Sequence, residues 1–225
     1  MMQFLLHPTW FYNIDSAFEV VSVIVTAAIA LYSLRIYSFT KENRHKYFGL
    51  SFLAISIAYL CKILTNVVLY QKMQEVGGIV TVTKYALHAL PIFSIFGLFS
   101  YRIFMLLGLA GIYLLLSQSR ERSHIVLIVY FIVITTLFSG YAYFIFHMTA
   151  ALLLMYIVGF YYQRSRQGQG KSRSLVAAFS CILISQLAFI FIFLNSKLYV
   201  LGESFQLLGF LILLYEYYHL VLRRR

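Results

Sequence analysis

SAFEVVSVIVTAAIALYSLRIYS, residues 16–38, carries Glu19 and then no further charge until Arg35. At about 1.5 Å per residue, a helix of this length crosses a hydrocarbon core roughly 30 Å thick. Further stretches of the same kind follow at about 47–70, 91–116, 123–139, 141–163, 174–195 and 198–222. Each is expected to be a helix, because lipid offers no partner to backbone N–H and C=O groups. A membrane barrel would alternate in polarity over segments of about ten residues, and that pattern is absent. The expected fold class is all-α: a polytopic membrane protein, one seven-transmembrane helix bundle over residues 1–225.

The third span is the least regular. Residues 84–116 are longer than a bilayer needs, and Pro91 interrupts them. Lys84–Leu90 is read either as an outer extension kinked at Pro91 or as an interfacial turn. The segment QKMQEVGGIVTVT before it, with Gly77 and Gly78, is the longest expected connection between spans. No repeat of about 20–50 residues and no inverted repeat is read from the chain.

Of 225 residues, 62% are hydrophobic and 11% charged, with a formal charge of +11. In a soluble protein that charge would suggest nucleic acid. Here most of the basic residues fall in short connections on one side: Arg35, Lys41, Arg44 and Lys46; Arg120 and Arg122; Arg164, Arg166, Lys171 and Arg173; and Arg223–Arg225. That is the positive-inside pattern, and it predicts an outside N-terminus and a cytoplasmic C-terminus. The expected partners are the lipid bilayer and its anionic headgroups, not nucleic acid. The location that follows is a cell membrane, of a prokaryote. Cys61 and Cys181 lie inside apolar spans and predict no disulfide framework. MMQFLLHPTWFYNID lacks a basic leader region and a cleavage site, so no cleaved signal peptide is expected.

Charge inside a bilayer is costly, so intramembrane ionisable residues mark cavities, pathways or buried networks. Placed by depth, Glu19, Lys62, Asn66, His88, His147, Glu203 and Gln206 fall in the outer half, with Gln186 and Arg102 near the middle. Lys62 and Asn66 share a helix face by their i, i+4 spacing, as Glu203 and Gln206 do at i, i+3. These nine residues are the candidate ligand pocket. The bland alternative is interhelical glue, worth about 0.6–2 kcal/mol per contact, with Lys62 neutralised by Glu203 or Glu19.

The chemistry such a set supports is limited. His88, His147 and Glu203 are candidate zinc ligands, but from separate segments without a spacing motif. His88 and His147 are also the candidate pair for a bis-His haem. Glu216 and His219 form a single Glu-x-x-His, which di-iron bundles use in pairs. Retinal is not expected, because the seventh span holds no lysine in its middle. No GxSxG or HExxH run supports nucleophilic or zinc-protease chemistry.

The stretch FEVVSVIVTAAIALYSLRIYSFTKENRHKYFGLSFLAISIAYLCKIL resembles seven-span archaeal and bacterial proteins similar to the membrane-sensor module of some histidine kinases. Arg35-Ile36-Tyr37, the basic turn Lys41–Lys46 and Gly49 carry the resemblance. It implies a sensory role and no catalytic residues. With Arg225 as the last residue, no output domain is expected, so a sensory role calls for a separate signalling partner. The functional expectation is a receptor-like protein with an outward-facing polar pocket. The alternatives are a metal-dependent intramembrane enzyme at the outer leaflet and a small transporter or ion pathway.

Overall fold

The computed structural model describes residues 12–75, 92–117, 122–139, 143–167 and 172–222. Among them seven α-helices follow in order: α1 (Tyr12–Thr40), α2 (Asn43–Glu75), α3 (Ile92–Leu116), α4 (Arg122–Phe138), α5 (Tyr143–Arg166), α6 (Ser172–Ile190) and α7 (Lys197–Leu222). All but α4 are long and apolar enough to cross a bilayer. The α4 helix is apolar but has 17 residues, about 25 Å at 1.5 Å each. The chain is a helical, multi-pass membrane protein.

Boundaries differ from expectation where local chemistry extends or ends a helix. Past residue 70, α2 continues to Glu75, since Gln71, Lys72, Met73 and Gln74 are all good helix formers. The sixth helix ends at Ile190, and residues 191–194 form turns. Asn195 then caps the seventh, its Oδ1 accepting from the Lys197 amide at 2.9 Å. Pro91, Lys84–Leu90 and the Gly77-Gly78 segment lie outside the described residues, so the expectations for them stand as stated.

The α1–α2 connection is a tight reversal. Lys41 takes a left-handed conformation, φ 56°, and its amide donates to the Tyr37 carbonyl at 2.8 Å. This is the helix-ending geometry that usually selects glycine. Ser33 ties the two helices together by donating to the His45 carbonyl at 2.7 Å.

The helices form a ring. α2 packs between α1 and α3, α6 packs between α5 and α7, α1 meets α7, and α3 meets α5. The short α4 lies against α3 and α5. Phe52, Ile55, Tyr59, Ile112, Phe179, Phe210 and Leu213 fill the interior, while Ile24, Leu31, Leu152, Tyr130 and Leu194 point outward. An apolar exterior of this kind suits lipid contact, where burial itself gives little drive and close packing matters more. Buried hydroxyls are satisfied locally: Thr26, Thr65 and Thr136 each donate to the carbonyl four residues back.

The ring has two chemically different ends. Arg35, Lys41, Arg44, Lys46, Arg166 and Arg173 stand exposed or half-exposed at one, here the basic end. Asp15, Glu19 and Glu203 are buried toward the other, here the carboxylate end.

Candidate functional site

Three helices each present a pair of polar side chains one turn apart at the carboxylate end: Asp15 and Glu19 on α1, Lys62 and Asn66 on α2, and Tyr199 and Glu203 on α7. The i, i+4 spacing puts both members of each pair on one face, and the three faces converge on Lys62. The Lys62 Nζ lies 2.9 Å from Glu19 Oε1, 2.7 Å from Glu203 Oε1 and 3.3 Å from the Tyr199 hydroxyl. An ammonium has three N–H donors, and here each finds an acceptor. The Tyr101 and Tyr199 rings stand 6.0 and 5.7 Å from the same nitrogen, near the limit of cation–π reach.

Glu19 and Asp15 are held by other donors before Lys62 is counted. Glu19 is fully buried and Glu203 2% exposed. Asn66 donates from Nδ2 to both oxygens of Glu19, at 2.7 and 2.9 Å. Tyr199 donates to Asp15 Oδ1 at 2.8 Å. The Lys62 side chain is more open than either carboxylate, 14% exposed. Lys62, Glu19 and Glu203 together carry one formal positive and two formal negative charges. Asp15, 3% exposed and bonded to Tyr199, adds a third carboxylate, so neutrality needs further protons or cations, since an uncompensated buried charge is strongly unfavourable. Among the described residues, nothing donates to the buried Asn66 Oδ1.

The other predicted residues sit around this cage. Gln206, one turn deeper on α7, donates to the Tyr59 hydroxyl. His147 meets Gln186, Nδ1 to Oε1 at 2.9 Å, so Nδ1 carries the proton in this pair. The His147 ring packs 5.1 Å from Phe189, which packs 5.6 Å from Tyr199. That aromatic column joins the His147 pair to the cage. Arg102 donates to Ser139 Oγ at 3.0 Å, tying α3 to the end of α4. His88 lies outside the described residues.

Of the nine predicted pocket residues, Asn66, Glu19, Lys62 and Glu203 are linked in that order by direct contacts. Gln206, His147, Gln186 and Arg102 form a surrounding layer with partners of their own. Among the described residues no three of His, Cys, Asp and Glu gather as metal ligands. Of the proposed zinc set, His147 faces Gln186 and Glu203 faces Lys62. His219 packs on Tyr215, ring centroids 4.5 Å apart, near the basic end.

Sequence reasoning missed Asp15, Tyr199, Tyr59, Tyr101 and Ser139. The first two had a signal. Asp15 precedes Glu19 by one turn, and Tyr199 precedes Glu203 by one turn. No family model matches the chain, and no curated protein or solved structure matches it.

Proposed function

We propose that this is a receptor-like, sensory membrane protein that takes a small organic ammonium ligand at the Lys62 cage. The observation that carries the reading is the cage itself. Two buried carboxylates, a phenol and two aromatic rings surround an ammonium group that the chain supplies from its own Lys62. A ligand ammonium meets the same acceptors, adds positive charge to a site rich in buried carboxylates, and has N–H donors to spare for Asn66 Oδ1.

In this reading α4 is the seventh crossing, the N-terminus is outside and the C-terminus is cytoplasmic. The basic end supports that orientation by the positive-inside rule. The membrane is then the cell membrane of a prokaryote, and the ligand enters from outside. The resemblance of residues 18–64 to sensor modules is in keeping with it, as is a separate signalling partner at the basic end. A ligand that takes Glu203 leaves Lys62 with Glu19 and the Tyr199 hydroxyl, which removes the ion pair that joins α2 to α7.

Native mass spectrometry of gently purified protein tests the reading. The expected result is a bound organic cation that is missing from Glu203→Gln. Wild-type protein that stays empty, and whose thermal stability is indifferent to added amines, contradicts it.

A further inference from the structure

Two helices of the ring repeat one another. FMLLG, residues 104–108 of α3, recurs as FQLLG, residues 205–209 of α7. In the register that superposes Gly108 on Gly209, six buried positions between residues 101 and 116 have buried counterparts: Tyr101 and Gly202, Arg102 and Glu203, Met105 and Gln206, Leu109 and Phe210, Ile112 and Leu213, Leu116 and Tyr217; buried Leu106 and Ala110 instead meet half-buried Leu207 and exposed Leu211. Even the outward leucines match, Leu107 with Leu208.

The neighbours match too. A Cβ on Gly108 would press into Ile55 and lie 2.8 Å from the Ser51 carbonyl oxygen. On Gly209 it would lie 2.6 Å from Ile182 and 2.7 Å from the Ala178 carbonyl oxygen. Superposing Ile55 on Ile182 pairs Ser51 with Ala178, Phe52 with Phe179, Ala58 with Ser185 and Tyr59 with Gln186, all buried. Superposing Glu19 on His147 pairs buried Ser22, Thr26, Ile29 and Ser33 with buried Ala150, Leu154, Ile157 and Tyr161.

The ring order obeys the same correspondence. α1, α2 and α3 map onto α5, α6 and α7, and the α1–α7 contact maps onto the α5–α3 contact. Corresponding helices run in the same direction, the arrangement that parallel repeats about an axis along the bundle would have, with α4 as the link. Packing is denser within each trio than between them.

The cage lies on the seam. Lys62 reaches Glu19 within its own trio but Glu203 and Tyr199 in the other. Toward the basic end the same seam is closed by aromatic rings: Phe52 with Phe210 at 6.5 Å and Phe48 stacked on Tyr217 at 4.9 Å. Proteins built from repeated bundles commonly bind substrate where the repeats meet and expose it to either side by rocking them.

We propose that the two trios rock about this seam and carry a small organic ammonium ion across the membrane. Lys62–Glu203 acts as the latch, and Phe48, Phe52, Phe210 and Tyr217 as the gate at the basic end. The inference rests on the ammonium site proposed above. A ligand that captures Glu203 removes the ion pair between the trios while leaving Lys62–Glu19 intact within the first.

The test uses the full chain in proteoliposomes, with labelled putrescine as probe because its two charged ends keep it out of bare lipid. The expected result is saturable uptake at least tenfold above protein-free vesicles, lost in Glu203→Gln. In a Cys61→Ala/Cys181→Ala background, Phe48→Cys with Tyr217→Cys is then joined by a short bismaleimide. Cross-linking should stop uptake and leave putrescine binding within about twofold. Binding without uptake in the uncross-linked protein overturns transport and leaves the site reading intact. Uptake that survives the cross-link overturns the gate. Absence of both binding and uptake overturns the ammonium site and, with it, the transport built on it.

Discussion

Lys62 directs its three donors to Glu19, Glu203 and Tyr199 in a place where water is scarce. Removing one member of a buried ion pair typically costs about 3–5 kcal/mol, because the partner charge is left uncompensated. Lys62→Met is therefore expected to destabilise by about that much. The triple change Lys62→Met/Glu19→Gln/Glu203→Gln should recover most of the loss, since it removes both carboxylates that pair with the Lys62 nitrogen, at 2.9 and 2.7 Å. Thermal unfolding in detergent compares the two, and equal losses would contradict the buried-pair account. Tyr199→Phe removes one hydroxyl that donates to Asp15 and accepts from Lys62. It should cost about 1–3 kcal/mol in the same assay. At this scale the sequence was partly legible. Charge inside apolar spans pointed to Glu19, Lys62 and Glu203 directly. Tyr199 and Tyr101 were hidden among 19 tyrosines, most of which suit lipid interfaces equally well. Which acceptor Lys62 meets depends on helix rotation, which uniformly apolar spans do not encode.

Helix contacts in lipid depend on small residues, and the glycines separate by what surrounds them. Gly108 and Gly209 sit against backbone carbonyls of the neighbouring helix, whereas nothing lies within 4 Å of a Cβ on Gly159. Gly108→Ala and Gly209→Ala should each cost about 1–3 kcal/mol by overpacking. Gly159→Ala should instead stabilise by about 0.5–1 kcal/mol, through helix propensity alone. Lys41, at φ 56°, offers a second such contrast. Lys41→Gly should raise stability by about 1 kcal/mol, the usual cost of a side chain in that conformation. Denaturant titrations of the four variants check all these signs at once. The existence of the helices was legible from apolar run length. Their ends were less so: the polar QKMQE run reads as a loop by composition yet propagates α2 by propensity. The FMLLG and FQLLG recurrence was visible in the chain, but its significance needed the burial pattern on both sides of it.

The ring places most of its exposed cations at one end and buried carboxylates toward the other, and the proposed orientation rests on that asymmetry. A single cysteine at exposed Asn195 should react with a membrane-impermeant maleimide in intact cells. One at Lys41 or Arg166 should react only after permeabilisation. The reverse labelling would invert the proposed orientation. A multi-pass helical fold was legible because run length is a composition-level signal, and six of the seven expected spans are helices long and apolar enough to cross a bilayer. The closure of α1 on α7, and the seam that brings Lys62 to Glu203, were not, because the two residues are far apart in sequence and share no motif. The central claim is that this seam holds an ammonium site that Lys62 occupies in the resting protein. Lys62→Ala removes three methylenes and the charged nitrogen, the outline of n-propylammonium. The decisive measurement is the thermal stability of Lys62→Ala with added n-propylammonium, with n-propanol as the uncharged control. Recovery of most of the lost stability by the amine alone is the predicted result. No recovery, or equal recovery with the alcohol, would contradict an ammonium site at the Lys62 cage.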